Sequence, residues 1–108
     1  MGYEVHITRA RHWTESESVP ITLEEWKEYV ATDREMRMDN FAEATTSGGD
    51  TIRYENEGLA VWIPSGCWLD FRRGRIVAKN PDEETLAKMK SIAEQFGARV
   101  FGDEGELY

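Results

Sequence analysis

Apolar and polar residues alternate from Tyr3 to Thr8, with Tyr3, Val5 and Ile7 on one side of the period and Glu4, His6 and Thr8 on the other. A two-residue period predicts a half-buried strand, and it directs His6 away from the core. The period then changes. In ITLEEW, residues 21 to 26, Thr22 and Glu25 have capping-box spacing, and Ile21 and Trp26 have the spacing of a hydrophobic staple. A helix is predicted from Leu23 to Thr32, with Leu23, Trp26, Tyr29 and Val30 on its buried face. From residue 41 the chain breaks into short stretches separated by turn signals: FAEAT, TIRYEN, LAVWIP, CWLDFR and RIVAK. These predict an antiparallel meander of up to five strands. Within CWLDFR, Trp68, Asp70 and Arg72 share one face while Leu69 and Phe71 take the other.

The stretch KNPDEETLAKMKSIAEQFG predicts a second helix, with Asn80 as N-cap, Pro81 at the first helical position and Gly97 at the C-terminal cap. Leu86, Met89, Ile92, Ala93 and Phe96 form its apolar stripe, and a last strand covers Ala98 to Phe101. The expected order is therefore β-α-β-β-β-β-β-α-β. It describes an α+β domain in which two helices pack on one side of a mostly antiparallel sheet. At 108 residues the chain has room for one such domain, spanning 1–108.

Charge changes the picture more than size does. The formal net charge is -8, from 21 acids and 13 bases, which argues against direct binding of nucleic acid or an anionic membrane. It is unevenly spread. Residues 14 to 57 hold twelve acids against four bases, and residues 81 to 108 hold seven against three, whereas residues 58 to 80 hold one acid against four bases. Glu24, Glu25, Glu28, Asp33 and Glu35 form an acidic surface suited to a basic protein partner, because complementary fields speed encounter and set specificity. The bases Arg72, Arg73, Arg75 and Lys79 gather around one hairpin. A single cysteine, Cys67, permits no internal disulfide. The longest purely apolar run, Leu59 to Ile63, is far short of a membrane span of about 20 residues. With no charged start followed by an apolar stretch, a cytoplasmic location is expected.

No standard catalytic signature is present. His6 and His12, six residues apart, match no metal-ligand spacing, so neither a metal nor a cofactor is expected, although His6 has the chemistry of a general base. Cys67 lacks a basic neighbour that would activate its thiol, and Ser47-Gly48-Gly49-Asp50 lacks the lysine of a phosphate-binding loop. The suggestive constellation is Trp13, Trp62, Trp68, Asp70 and Arg72, with His6 and Arg9 from the first strand. If that strand lies beside the meander, these residues form a tryptophan-lined surface bearing a carboxylate and a guanidinium. The plainer reading makes the tryptophans core filling and Asp70 and Arg72 a surface ion pair.

The segments HITR (6 to 9) with Trp13, ITLEEW, EGLAVW, WLDFRRGRIVAKNPDEETLAKM and GARVFGDEGELY together resemble a widespread group of small, acidic, bacterial cytoplasmic proteins. In format the chain is similar to bacterial toxin-immunity proteins, cytoplasmic inhibitors that dock on a toxin domain. That resemblance implies a fold and a way of working, and it carries no functional residue with it. The expectation is a non-enzymatic binding protein, immunity-like or inhibitory, docking on a basic toxin or nuclease through its acidic surface. The alternatives are a small-molecule-binding domain or modest enzyme using the Trp/Asp/Arg surface, or an acidic mimic of nucleic acid.

Overall fold

The computed structural model describes residues 3–108. Its strands are β1 (Glu4–Thr8), β2 (Met36–Met38), β3 (Phe41–Thr45), β4 (Thr51–Glu55), β5 (Ala60–Trp62), β6 (Cys67–Arg72), β7 (Arg75–Lys79) and β8 (Arg99–Gly102). The helices are α1 (Leu23–Thr32) and α2 (Glu83–Phe96), and one 3-10 turn, Trp13–Glu15, follows β1. Six strands form a sheet in the order β2-β5-β6-β7-β1-β8, and β3 and β4 form a separate two-stranded ribbon. Every strand pairing among these elements is antiparallel. The α+β class, the single-sided helices and the mostly antiparallel sheet agree with the sequence reading.

α1 begins and ends where its sequence says it should. The Thr22 side chain accepts from the Glu25 backbone N–H at 3.1 Å, and the Glu25 carboxylate returns the bond to the Thr22 N–H at 3.1 Å. α2 differs at its start. Asp82, not Asn80, is the N-cap and accepts from the Thr85 N–H at 2.8 Å; Pro81 lies before the helix. Asn80 instead adopts a positive φ of 45°, and its side chain accepts from the Tyr3 N–H, closing the β7 end onto β1. Both residues are competent caps, and this tertiary contact decides between them. Gly97 ends the helix in the left-handed conformation, as expected.

The five meander strands all form, but they do not share one sheet. β2 was not anticipated: it is three residues long with Arg37 at its centre, too short for alternation to register. β3 and β4 form their own ribbon, with β4 exposed along its whole length and β3 only partly buried, so neither contributes to the helix-side core. The core lies between the sheet and the helices. Val5, Ile7, Leu69, Ile76, Ala78 and Val100 from the strands meet Trp26, Val30, Met89, Ile92, Ala93 and Phe96 from the helices. Trp26 is fully buried, and its indole N–H donates to the Gly58 carbonyl at 2.7 Å. Gly58 itself has φ 97°, and a Cβ there would lie 2.7 Å from the Phe71 Cβ.

Candidate functional site

Alternation in β1, β6 and β7 sends one set of side chains to the helices and the other set to the opposite face. That second face carries Glu4 and His6 from β1, Trp68, Asp70 and Arg72 from β6, and Arg75, Val77 and Lys79 from β7. Register places Asp70, Val77, His6 and Phe101 side by side across four strands. The face is partly covered. The 3-10 turn and the C-terminal segment cover one end, and the β3–β4 ribbon covers the other.

Under the first cover lies His6, which is 0% exposed. The Trp13 ring stacks on it, 4.2 Å between centroids and 3° from parallel. Its Nε2 is 2.8 Å from Asp103 Oδ1, and Arg75 Nε donates to its Nδ1 at 3.2 Å. Because Arg75 can only donate, Nδ1 is the acceptor and the proton sits on Nε2, donating to Asp103. Burial pushes the His6 imidazole below its ordinary pKa, with Arg75 adding to the effect while Asp103 opposes it. The Asp103 carboxyl is also held low: burial opposes this, but the Glu4 N–H and His6 both donate to it. Sequence alternation directed His6 away from the helix-side core, as found. Pointing away from that core does not expose it, since Trp13 and Asp103 seal it.

The ligand atoms of Glu4, His6 and Asp103 lie within 4.8 Å of one another, close enough to raise the question of a cation. The donor set argues against one. A metal on Nε2 would require the proton to move to Nδ1, directly opposite the Arg75 N–H and with a guanidinium charge behind it.

Under the second cover, Asp70 is the organising group. It is 4% exposed and accepts from Tyr54 OH at 3.0 Å, Asn56 Nδ2 at 2.7 Å and Arg72 Nε at 2.9 Å. Arg72 also reaches Glu4 at 3.2 Å, and Asn56 donates to the Phe71 carbonyl at 2.9 Å. Burial, and then Asp70, raise the Tyr54 phenol above its ordinary pKa, so it remains a donor. The Asp70–Arg72 ion pair therefore exists within β6, but Asp70 is buried, and through Tyr54 and Asn56 it ties the ribbon to the sheet. Between ribbon and sheet is a cleft of about 520 Å³, lined by Ala42, Tyr54, Trp68, Asp70, Val77 and Lys79 together with Leu59, Cys67 and Arg72. Trp68 remains 38% exposed and Tyr54 44%. Lys79 has no ion-pair partner among the described residues.

Three members of the expected tryptophan surface, Trp68, Asp70 and Arg72, come together in this cleft. Trp62 does not join them. It pairs with Cys67, while Val61 pairs with Trp68, so Trp62 faces the helices and is buried, its indole N–H donating to Glu35 at 3.3 Å. Arg9 also lies on the helix side, where it donates to the Phe96 carbonyl at 2.7 Å and to Glu25 at 2.9 Å. Trp13 caps His6 and is not part of the cleft wall. The acidic set is likewise divided. Arg9, followed by the Thr22 backbone, holds the Glu25 carboxyl at about 2. Asp33 and Glu35 share Lys88 at 2.7 and 3.0 Å. Glu24 and Glu28 are exposed, with no ion-pair partner among the described residues.

Tyr54, Asn56, Lys79, Arg75 and Asp103 had no place in the sequence constellation. Tyr54 and Asn56 share an alternating face in TIRYEN, a usable signal; Asp103 is indistinguishable by pattern from the other acids of the C-terminal segment.

Comparison of the chain with protein-family models, with curated proteins and with solved structures finds no match. No helix among the described residues is long and apolar enough to cross a membrane.

Proposed function

We propose that this protein is a non-enzymatic binding domain whose working surface is the cleft between the β3–β4 ribbon and the open face of the sheet. The observation that carries this reading is that a volume of about 520 Å³ is walled by two partly exposed aromatic rings above a buried carboxylate held by three hydrogen bonds. Concave, mostly apolar sites of roughly 300–1,000 Å³ with a few fixed polar groups are the usual form of small-molecule sites. Binding is favoured over catalysis because the groups with catalytic chemistry are occupied or sealed. His6 is buried under Trp13, and burial raises the Cys67 thiol above its ordinary pKa. A fragment library screened by ¹H–¹⁵N NMR should return saturable binders that shift the Trp68 indole and the Val77 and Lys79 amides. Trp68→Ala should weaken them about tenfold, the scale of losing one aromatic contact. Binders that shift only residues remote from the cleft, or an unchanged affinity in Trp68→Ala, would overturn the proposal.

A second reading keeps the acidic docking surface for a basic protein partner. Its support is narrower than the charge count suggests: of the five acids of that surface, Glu24 and Glu28 are exposed without an ion-pair partner among the described residues, while Glu25 pairs with Arg9 and Asp33 and Glu35 share Lys88. Under this reading, Glu24→Lys with Glu28→Lys slows capture of the partner and removes its dependence on salt. A capture rate that the double variant leaves unaltered would exclude it.

A further inference from the structure

We infer that the cleft takes a small planar monoanion, an aromatic or conjugated carboxylate whose ring lies against Trp68 and Tyr54 and whose charge meets Lys79. This rests on the cleft reading above and assigns its ligand class. The walls favour a flat apolar body. Ala42, Leu59 and Val77 supply aliphatic surface, and Trp68 and Tyr54 supply ring faces that remain partly solvated when the cleft is empty. Covering such faces with another ring gains both area burial and favourable ring geometry.

The sign of the charge follows from which ionised groups are already committed. Asp70 is 4% exposed and its charge is already answered by three donors, the Arg72 guanidinium among them, so it offers little to a cationic ligand. Arg72 is fixed between Asp70 and Glu4. Lys79, the last residue of β7, lines the same cleft and is exposed, with no ion-pair partner among the described residues. Among the described residues, the one uncommitted charge on the wall is therefore positive. Its exposure at the rim suits a carboxylate that stays hydrated on one side while the ring goes in, avoiding the cost of burying an ion. A single free cation on the cleft wall, among the described residues, in a chain of net charge -8 selects against polyanions, whose additional charges would find no second cation there.

The test is an NMR titration of the full chain with three probes sharing one ring system: 2-naphthoate, 2-naphthylmethanol and 2-naphthylmethylamine. All three should shift the Trp68 indole and the Val77 and Asp70 amides, with naphthoate binding about fivefold tighter than the alcohol at low ionic strength and the amine weakest. That preference should shrink at about 0.5 M salt. Lys79→Met should reduce naphthoate to the affinity of the alcohol and leave the alcohol unchanged. Equal binding of acid and alcohol, tighter binding of the amine, or a preference that survives Lys79→Met overturns the anion assignment while leaving the cleft as a binding site. No binding by any probe up to its solubility limit, or shifts confined to residues outside the cleft, overturns both.

Discussion

Replacing Asp70 by alanine is the most informative single perturbation, because the same carboxylate holds the ribbon to the sheet and shapes the cleft floor. Three donors lose their acceptor: Tyr54 OH, Asn56 Nδ2 and Arg72 Nε. Hydrogen bonds to a charged group contribute about 1.5–3 kcal/mol each, which taken alone would give upward of ~5 kcal/mol. Much of this is recovered. Tyr54 is 44% exposed and the Arg72 side chain 35%, so both can turn to water, and Asn56 keeps its bond to the Phe71 carbonyl. Removing the carboxylate also removes its own desolvation cost, leaving an expected loss of roughly 2–3 kcal/mol. For a domain of this size that lowers Tm by about 10–20 °C.

Urea denaturation gives the magnitude, and amide exchange locates it: β3 and β4 should exchange faster while β1 and β7 keep most of their protection. Tyr54→Phe alone should cost about 1 kcal/mol, and the double variant should show coupling of similar size, since the two changes remove one shared bond. A loss below about 0.5 kcal/mol, or a larger loss that leaves ribbon exchange untouched, would refute the assignment of Asp70 as the fastener.

Two further outcomes follow from buried positions. The folded pKa of His6 lies below its unfolded value, so the unfolded chain takes up the proton first; stability is complete above about pH 6.5 and falls as pH drops below it. Thermal melts between pH 8 and 5 should show this, and His6→Gln should flatten the dependence over that window; an equally steep profile in the variant would remove His6 as its source. Gly58→Ala places a methyl group 2.7 Å from the Phe71 Cβ and 2.9 Å from Leu23 Cδ1 at a φ of 97°, and should cost about 2–4 kcal/mol in urea. A cost under about 1 kcal/mol would mean that the β4–β5 connection yields more easily than its packing implies.

What could be read from the chain was whatever is decided within a few residues. The capping box at Thr22, the glycine stop at Gly97 and the apolar stripes of α1 and α2 depend on contacts three or four positions apart, and they appear as expected. The shared face of Trp68, Asp70 and Arg72 was legible for the same reason, since side chains alternate within any strand. Which face Trp62 joins was not legible, because that depends on the β5–β6 register, in which Trp62 opposes Cys67 and Val61 opposes Trp68. Nor could pattern show that the far side of β1 is closed. His6 is sealed by Trp13 from the turn after β1 and by Asp103, 97 residues away, brought near by the β1–β8 pairing.

The sequence by itself determined the elements other than β2, the two helices on one side and the uneven charge; tertiary structure decided which charges are spent and which are free. Glu25, Asp33 and Glu35 are taken up by Arg9 and Lys88, and Asp70 and Arg72 by Tyr54, Asn56 and Glu4 as well as by each other; of the candidate charges, Glu24, Glu28 and Lys79 have no ion-pair partner among the described residues. Local propensity acts through the backbone of neighbouring residues, whereas an ion pair requires two side chains within about 4 Å, a distance that only the folded chain sets.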